Sequence, residues 1–264
     1  MAVPGGETTL LPVVNAFWTG PRLGRIHAAC LASFLKVGHH VVLHTYDVPS
    51  DVPAGVHLAN ADNLVPRKEL AEYDRPGRYA LMSDLIRFRI LGAGLGLYVD
   101  CDCYCLRPIE DDEFIFGWET DGSVNGAVLK LPPSSAILSD LLAIGPGFVP
   151  PWYSTRRRAL NTLRTLLGFP KPLHAMAWGT LGPAAISYYV KRHGLENRVR
   201  PREEFYPLAH DEVERLFDPA VSIDELVTPR TKVVHLYNEM IRRKNLDAPP
   251  PTSPLGRMLA AVEA

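Results

Sequence analysis

The sequence predicts an α/β fold, built on a mixed, mainly parallel sheet that is flanked by helices. Short apolar runs with strand character alternate along the chain with longer segments of helical periodicity. Such alternation is typical of βαβ units, in which a helix connects two parallel strands. The chain has 264 residues, of which 47% are hydrophobic, so it is long and apolar enough to bury a substantial core.

Apolar runs rich in branched and aromatic residues mark the strands. In chain order, the predicted strands are residues 11–18, 40–46, 56–58, 95–99, 114–116, 124–131 and 232–237. Glycine and proline punctuate these runs, as Gly20 and Pro21 do after the first strand.

Segments with apolar residues at helical spacing mark the helices. The predicted helices are residues 22–37, 66–73, 78–91, 134–144, 155–167 and 183–191. Gly38 is suited to end the first helix as a C-cap, and Pro66 to begin the second. In the third helix, Ser83, Asp84 and Arg87 interrupt the apolar pattern at spacings that share one face.

The chain is predicted to form a single domain over residues 1–246. A loop rich in glycine and proline at 145–151 opens onto a basic helix, which predicts a helical insertion over the sheet at about 145–170. The segment 247–264 is predicted to be a proline-rich C-terminal tail, with residues 247–254 as a surface linker.

Charge and hydropathy limit the partners and the compartment. The net charge of −1 gives no global basic field, so we expect no nucleic-acid partner. The first nine residues lack the basic start and the apolar stretch of a signal peptide, so we expect a cytoplasmic protein. No apolar run approaches the roughly 20 residues that a membrane helix needs. Trp152, Tyr153 and the arginines 156–158 leave peripheral contact with a membrane open.

Four cysteines are present, and three of them alternate through one short acidic segment. They are Cys30, Cys101, Cys103 and Cys105. Thiolates bind zinc, but the second cysteine pair of a structural zinc site is missing. We therefore expect these thiols to be small packing residues on the strand face opposite Asp100 and Asp102.

Asp100 and Asp102 are the most informative residues of the chain. They follow the apolar run 95–99 directly, where a buried strand would leave the core. Two neighbouring carboxylates repel each other unless a cation lies between them. Magnesium and manganese prefer oxygen ligands and commonly bridge a carboxylate to phosphates. The pair therefore predicts a metal site that holds a phosphorylated ligand.

Several collinear segments resemble glycosyltransferases that carry a DXD motif. These segments are residues 83–87 (SDLIR) and 94–102 (GLGLYVDCD), and, more weakly, 15–20 (NAFWTG), 180–183 (TLGP) and 234–238 (VHLYN). The resemblance is to glycosyltransferase family 32, the α-1,4-galactosyltransferase and yeast mannosyltransferase type, and distantly to the clostridial toxin glucosyltransferases. Collinear matches are more specific than any single motif.

The resemblance implies a GT-A-type, Rossmann-like fold and a hexosyltransferase that retains the anomeric configuration. It implies Mn²⁺ (or Mg²⁺) and a nucleotide-sugar donor, with a UDP-hexose as our first expectation and GDP-mannose as the second. The acceptor stays open among a glycan, a glycolipid, a small molecule and a protein. The sequence departs from the family pattern at Gly94-Leu95-Gly96 and at Cys103-Tyr104-Cys105, which leaves the donor sugar open as well.

The resemblance also assigns roles to individual residues. It places Asp84, Arg87, Asp100 and Asp102 in catalysis, and Asp100, Asp102 and His235 at the metal. Binding of the donor and cofactor is expected at Phe17, Trp18, Asp84, Arg87, Tyr98, Asp100, Cys101, Asp102, Asn125, His235 and Asn238.

Several of these residues also fit purely structural roles. Asp84 and Arg87 also fit a solvated helical ion pair, and His235 also fits a hydrogen-bonded core histidine. The basic run 242–244 fits either a flap over the diphosphate or a solvated turn. Residues 178–180 are candidates for the acceptor side.

Two other functions compete with a glycosyltransferase. A phosphatase or phosphotransferase of the haloacid-dehalogenase type would use Asp100 as nucleophile and Asp102 as acid and base. That class begins at a strand with the same Asp-x-Asp spacing, but usually on the first strand of its domain. A non-catalytic carbohydrate-binding module is the third alternative, and we would expect it to lack part of the acidic and basic set.

Overall fold

The computed structural model describes residues 10–70, 79–177, 179–246 and 248–263. Its strands are β1 (Val14–Trp18), β2 (Val41–Thr45), β3 (His57–Asn60), β4 (Leu97–Val99), β5 (Cys103–Cys105), β6 (Ile115–Thr120), β7 (Ser123–Lys130) and β8 (Val233–His235). Its α-helices are α1 (Arg25–Lys36), α2 (Arg67–Leu70), α3 (Tyr79–Gly92), α4 (Ala136–Leu142), α5 (Thr155–Leu166), α6 (Pro183–Arg192), α7 (Arg202–Phe205), α8 (Asn238–Arg243) and α9 (Pro254–Glu263).

A six-stranded sheet forms the centre of the molecule, in the order β3-β2-β1-β4-β7-β6. The strands β3, β2, β1 and β4 pair in parallel, whereas β7 pairs antiparallel with both of its neighbours, β4 and β6. The predicted α/β class, with a mixed and mainly parallel sheet flanked by helices, is confirmed.

The chain changes direction across the sheet between β1 and β4. From β1 it moves outward through β2 and β3, then returns to place β4 on the opposite side of β1. Val14 of β1 pairs with Val41 of β2 on one side and with Leu97 of β4 on the other. In open α/β sheets, such a switch point leaves a crevice outside the carboxyl ends of the two strands.

Both faces of the sheet are covered, because side chains alternate along each strand. On one face, Phe17 and Tyr98 pack with residues of α3, α4 and α6. On the other face, Val14, Ala16 and Val99 pack with residues of α1. Within the described residues, no helix is both long enough and apolar enough to cross a membrane.

The strand predicted at 232–237 is not part of the main sheet. It is present as β8, which pairs with β5 in a separate two-stranded antiparallel sheet. The turn after β4 directs the chain away from the main sheet, so that Cys103 lies opposite His235. Sequence periodicity marks a strand but does not identify its partner.

The segment predicted as a surface tail ends instead in a buried helix. Helix α9 packs against α1, and Leu255, Met258 and Leu259 are almost completely buried. The Tyr104 hydroxyl donates a hydrogen bond to the Met258 carbonyl at 2.8 Å. The prolines of 247–254 predicted a tail, and no helix was predicted for the residues after them, whose apolar stripe packs against α1.

We expect Leu259→Ala to lower the free energy of unfolding by about 2–4 kcal/mol, because it deletes a fully buried side chain. Urea denaturation measures this loss. The matched control is Leu58→Ala on β3, where the leucine is 45% exposed and the expected change is within about 0.5 kcal/mol. Equal effects of the two substitutions would show that α9 is not docked.

A buried polar pair joins the first two strands. His44 donates from Nε2 to Asn15 Oδ1 at 2.9 Å, and Asn15 Nδ2 donates to the Leu95 carbonyl at 2.8 Å. These contacts cross from β2 through β1 to Leu95, two residues before β4. Burial lowers the pKa of His44 to about 4, because a charged imidazole loses its hydration there.

The His44 shift predicts a loss of stability in acid. An unfolded histidine titrates near pH 6.5, so the unfolded chain binds this proton first as the pH falls. The contribution of His44 is therefore complete above about pH 6.5 and is lost towards pH 4, by roughly 2–3 kcal/mol. Unfolding free energies measured across this interval should fall less steeply for His44→Gln than for the parent protein.

Candidate functional site

Both acidic residues of the Asp-x-Asp motif lie on one tight turn at the carboxyl end of β4. The Asp100 amide donates to the Ala127 carbonyl of β7 at 2.8 Å, which fixes the start of the turn. The Cys103 amide then donates to the Asp100 carbonyl at 3.0 Å and closes it. Aspartate is favoured at the first position of such turns. The turn therefore presents Asp100 and Asp102 at the switch point between β1 and β4.

Asp100 is oriented by two donors from the interior. Its Oδ1 accepts hydrogen bonds from Arg87 Nη2 at 2.7 Å and from the Tyr98 hydroxyl at 2.9 Å. The Tyr98 hydroxyl is shared with Ser83 Oγ at 2.8 Å, so its direction is also fixed. The second oxygen, Oδ2, accepts no hydrogen bond from the described residues. One oxygen is thus held and the other is left for a ligand.

Arg87 is buried between two carboxylates. Its Nη1 donates to Asp84 Oδ1 at 2.6 Å, and its guanidinium carbon lies 4.7 Å from the centre of the Tyr98 ring. Asp84 and Arg87 are 6% and 4% exposed, so they form a buried ion pair and not a solvated one on the helix surface. Burial raises the pKa of Asp84 to about 6, and the Arg87 charge limits that rise.

Two glycines make room for this ion network. A Cβ atom on Gly126 of β7 would lie 2.6 Å from Arg87 Nη1, and one on Gly182 would lie 2.7 Å from Asp84 Oδ1. Both distances are shorter than non-bonded contacts allow. The strand β7 and the start of α6 therefore approach the Asp84–Arg87 pair closely because these two positions lack side chains.

Asp102 is held by a different set of groups. His235 Nε2 lies 3.2 Å from Asp102 Oδ1, and the Asn238 amide donates to Asp102 Oδ2 at 2.9 Å. Burial alone would raise the pKa of Asp102, but the His235 charge and these hydrogen bonds lower it well below its usual range. Burial likewise opposes the charged form of His235, and Asp102 outweighs it, so the pKa of His235 is raised.

Donor atoms for a metal ion gather around Asp102. Among the described residues, one ligand atom each from Asp102, Cys103 and His235 lie within 4.8 Å of one another. Burial raises the pKa of Cys103 well above its usual value, and its thiol donates to the Ala127 carbonyl. A protonated thiol is a poor metal ligand, and the imidazole of His235 can bind a metal only in its neutral form, so Asp102 is the one donor of the three that is already in its binding form. Asp100, the third predicted ligand, lies outside this group of three.

The end of β1 adjoins the same turn. The Cys101 thiol donates to the Phe17 carbonyl at 3.3 Å, which joins the motif to the last residues of β1. Trp18 packs against His27 of α1, with ring centres 4.6 Å apart, and its indole nitrogen has no partner in the described structure. His27 was not predicted at the site, although its electrostatic interaction with Asp102 helps to lower the pKa of that carboxyl group.

A cleft of about 410 Å³ lies beside the start of α6. Its lining residues are Glu119, Ser123, Trp152, Tyr153, Gly179, Thr180, Pro183 and Ala184. Gly179 and Thr180 were predicted on the acceptor side, whereas Trp178 lies outside the described residues. Glu119 was missed because an acid at a strand end carries no motif. Its negative charge raises the pKa of Tyr237 and of His235, so the cleft lies within electrostatic reach of the acidic turn.

The remaining predicted residues have mainly structural contacts. The Asn125 side chain accepts from the Ala127 amide at 2.8 Å, and Asn238 contributes its backbone amide to Asp102. In the basic run 242–244, Arg242 and Arg243 form ion pairs with Glu239 on the surface of α8. All four cysteines are free and buried, as expected for packing residues.

The chain matches no family model and no curated protein. The functional assignment therefore depends on what the side chains at the switch point can do chemically.

We expect Gly126→Ala to displace Arg87 and to lower the free energy of unfolding by about 2–4 kcal/mol, because the new methyl group separates a buried ion pair. Chemical denaturation gives the value. Gly145→Ala is the control, since the nearest atom to its added Cβ is 3.9 Å away. A Gly126→Ala protein as stable as the control would contradict the close packing of β7 on Arg87.

Proposed function

We propose that the protein is a metal-dependent, retaining glycosyltransferase of the GT-A type that transfers a hexose from a nucleotide-sugar donor, a UDP-hexose in the first instance. One observation carries this proposal. Two aspartates with separate sets of partners lie on one turn at the switch point of a mainly parallel sheet. Ligands of open α/β sheets bind at this place.

The residues present fit a divalent cation with oxygen and nitrogen ligands. Asp102 and His235 would hold Mn²⁺ or Mg²⁺, and Asp100 would offer Oδ2 to the same ion or to the donor. When bound, the cation would act as a Lewis acid that stabilises negative charge on the diphosphate leaving group.

The protein side chains would position the donor around this turn. Trp18 is partly exposed beside the end of β1, and its aromatic face suits stacking on a nucleobase. Arg87 holds Asp100 of the turn by an ion pair, and it would add positive charge near the place where the diphosphate gains negative charge. Asp84 keeps Arg87 in place and is itself buried, so its role is to position Arg87.

The transfer needs no protein nucleophile. The bond between the anomeric carbon and the diphosphate oxygen breaks, while an acceptor hydroxyl oxygen bonds to that carbon from the same face. The departing diphosphate oxygen accepts the proton of the hydroxyl. The cleft beside the site would hold the acceptor, since Trp152 and Tyr153 can stack on a sugar and Glu119 can accept its hydroxyl protons. These groups favour an acceptor that carries a carbohydrate.

A donor panel tests the proposal. With UDP and MnCl₂ together, we expect a rise in melting temperature that neither gives alone, and with UDP-glucose or UDP-galactose we expect slow release of UDP. Asp102→Asn should reduce the rate of release by about 100-fold or more, because it removes charge at the metal. Asp100→Asn should act in the same direction. The exposed Asp211→Asn is the matched control and should behave like the parent.

Three results would overturn the proposal. If no nucleoside diphosphate stabilises the protein in the presence of metal, the protein has no site for a nucleotide-sugar donor. Hydrolysis of p-nitrophenyl phosphate that depends on Asp100 would identify a phosphotransferase of the haloacid-dehalogenase type. Calorimetric binding of a free sugar, without turnover of any donor, would identify a carbohydrate-binding module.

A further inference from the structure

Helix α5 exposes an unusual amount of apolar surface. Half of the large hydrophobic side chains that are exposed in the described residues lie within ten consecutive positions of this one segment. They are Leu160, Leu163, Leu166, Leu167 and Phe169, and each is more than 50% exposed. Scattered surface leucines are normal, but a contiguous group of this kind marks an interaction surface.

The helix is oriented opposite to an ordinary surface helix. Leu160, Leu163 and Leu167 follow the spacing of one helical stripe, and this stripe faces solvent. Asn161 is the only residue of α5 that is buried, and Thr165, on the same side, is half-buried. A helix normally buries its apolar stripe, because that burial supplies most of its stability. The polar side of α5 instead contacts the protein, which leaves the leucines for a partner.

The charge of the segment indicates what that partner is. Arg156, Arg157, Arg158 and Arg164 are exposed, and none of them forms an ion pair with a described residue. Arg157 lies over the Tyr153 ring, with its guanidinium carbon 3.7 Å from the ring centre. The sequence contains no aspartate or glutamate from residue 141 to residue 195. The apolar stripe thus belongs to a segment whose only charged side chains are basic.

We propose that α5, together with Leu167 and Phe169, is a docking surface for an anionic lipid bilayer. The helix would lie in the plane of the interface, with its leucines at the acyl boundary and its arginines at the lipid phosphates. A second copy of this chain is a poorer occupant, because an isologous contact would bring the same arginines together. The surface is independent of the proposed function, since it shares no residue with the acidic turn.

Vesicle sedimentation of the full chain tests the proposal. The probes are vesicles of phosphatidylcholine alone and vesicles of phosphatidylcholine mixed with an equal part of phosphatidylglycerol. We expect the parent protein to sediment with the mixed vesicles and to remain in the supernatant with the neutral ones. The double variant L163S/L166S should bind at least about tenfold more weakly, because it removes buried apolar area.

The charge contribution is tested by a second double variant and matched controls. R157E/R164E should bind the mixed vesicles at least about 25-fold more weakly, since each basic residue near an anionic surface contributes roughly fivefold and the new glutamates are repelled. The controls make the same kinds of substitution at exposed positions outside α5. L58S is the control for the loss of a leucine, and R89E/R257E is the control for the reversal of two arginine charges. Both controls should bind like the parent, and all variants should keep the parental circular dichroism and melting temperature.

Several outcomes would overturn the inference. One is equal binding by the parent and both α5 variants, and another is equal affinity for neutral and anionic vesicles. The third is a dimer that forms without lipid in analytical ultracentrifugation and that L163S/L166S abolishes, which would identify α5 as an interface between copies of this chain.

Discussion

The buried guanidinium of Arg87 is the constraint on which the rest of the site depends. It joins Asp84 on its own helix to Asp100 at the end of β4, and so fixes α3 relative to the acidic turn. Removing one partner of such a buried pair typically costs about 3–5 kcal/mol, because the remaining charge is left without compensation. β7 and α6 approach this network closely at Gly126 and Gly182, because the network occupies the space that side chains at these two positions would need.

The two aspartates of the turn differ because their partners differ. Asp100 faces the main sheet and a permanent cation, whereas Asp102 faces the two-stranded β5–β8 sheet and a histidine that can lose its proton. The turn therefore couples two parts of the fold that no strand connects directly. A ligand that contacted both carboxylates would join the main sheet to the smaller one, and its binding would depend on the packing of each.

Local chemistry explains why part of this arrangement was predictable. The apolar run before Asp100, the spacing of Asp84 and Arg87 and the alternation of strands with helices are all visible in a short window of sequence. They predicted the sheet class and the acidic residues at the end of β4, whereas His235 was placed beside Asp102 from the resemblance at residues 234–238. His27 and Glu119 were missed because they reach the site from elements that are distant in sequence. The partner of β8 was missed for the same reason, since the turn geometry at Cys103 decides it.

Helices α9 and α5 show the limit of periodicity most clearly. Both are amphipathic, yet α9 packs its leucines against α1 while α5 turns its leucines to solvent. Periodicity reports that a helix has two faces, but it does not report which face meets the protein. Charge distinguishes the two cases: Arg257 is the only basic residue of α9, whereas α5 carries four arginines and no acid. Burying the α5 stripe in the core would draw the neighbouring guanidinium groups towards the interior, where each would cost free energy unless it were paired. A surface that accepts leucine and arginine side by side avoids that cost, because the apolar stripe is covered while every arginine stays paired with an anion.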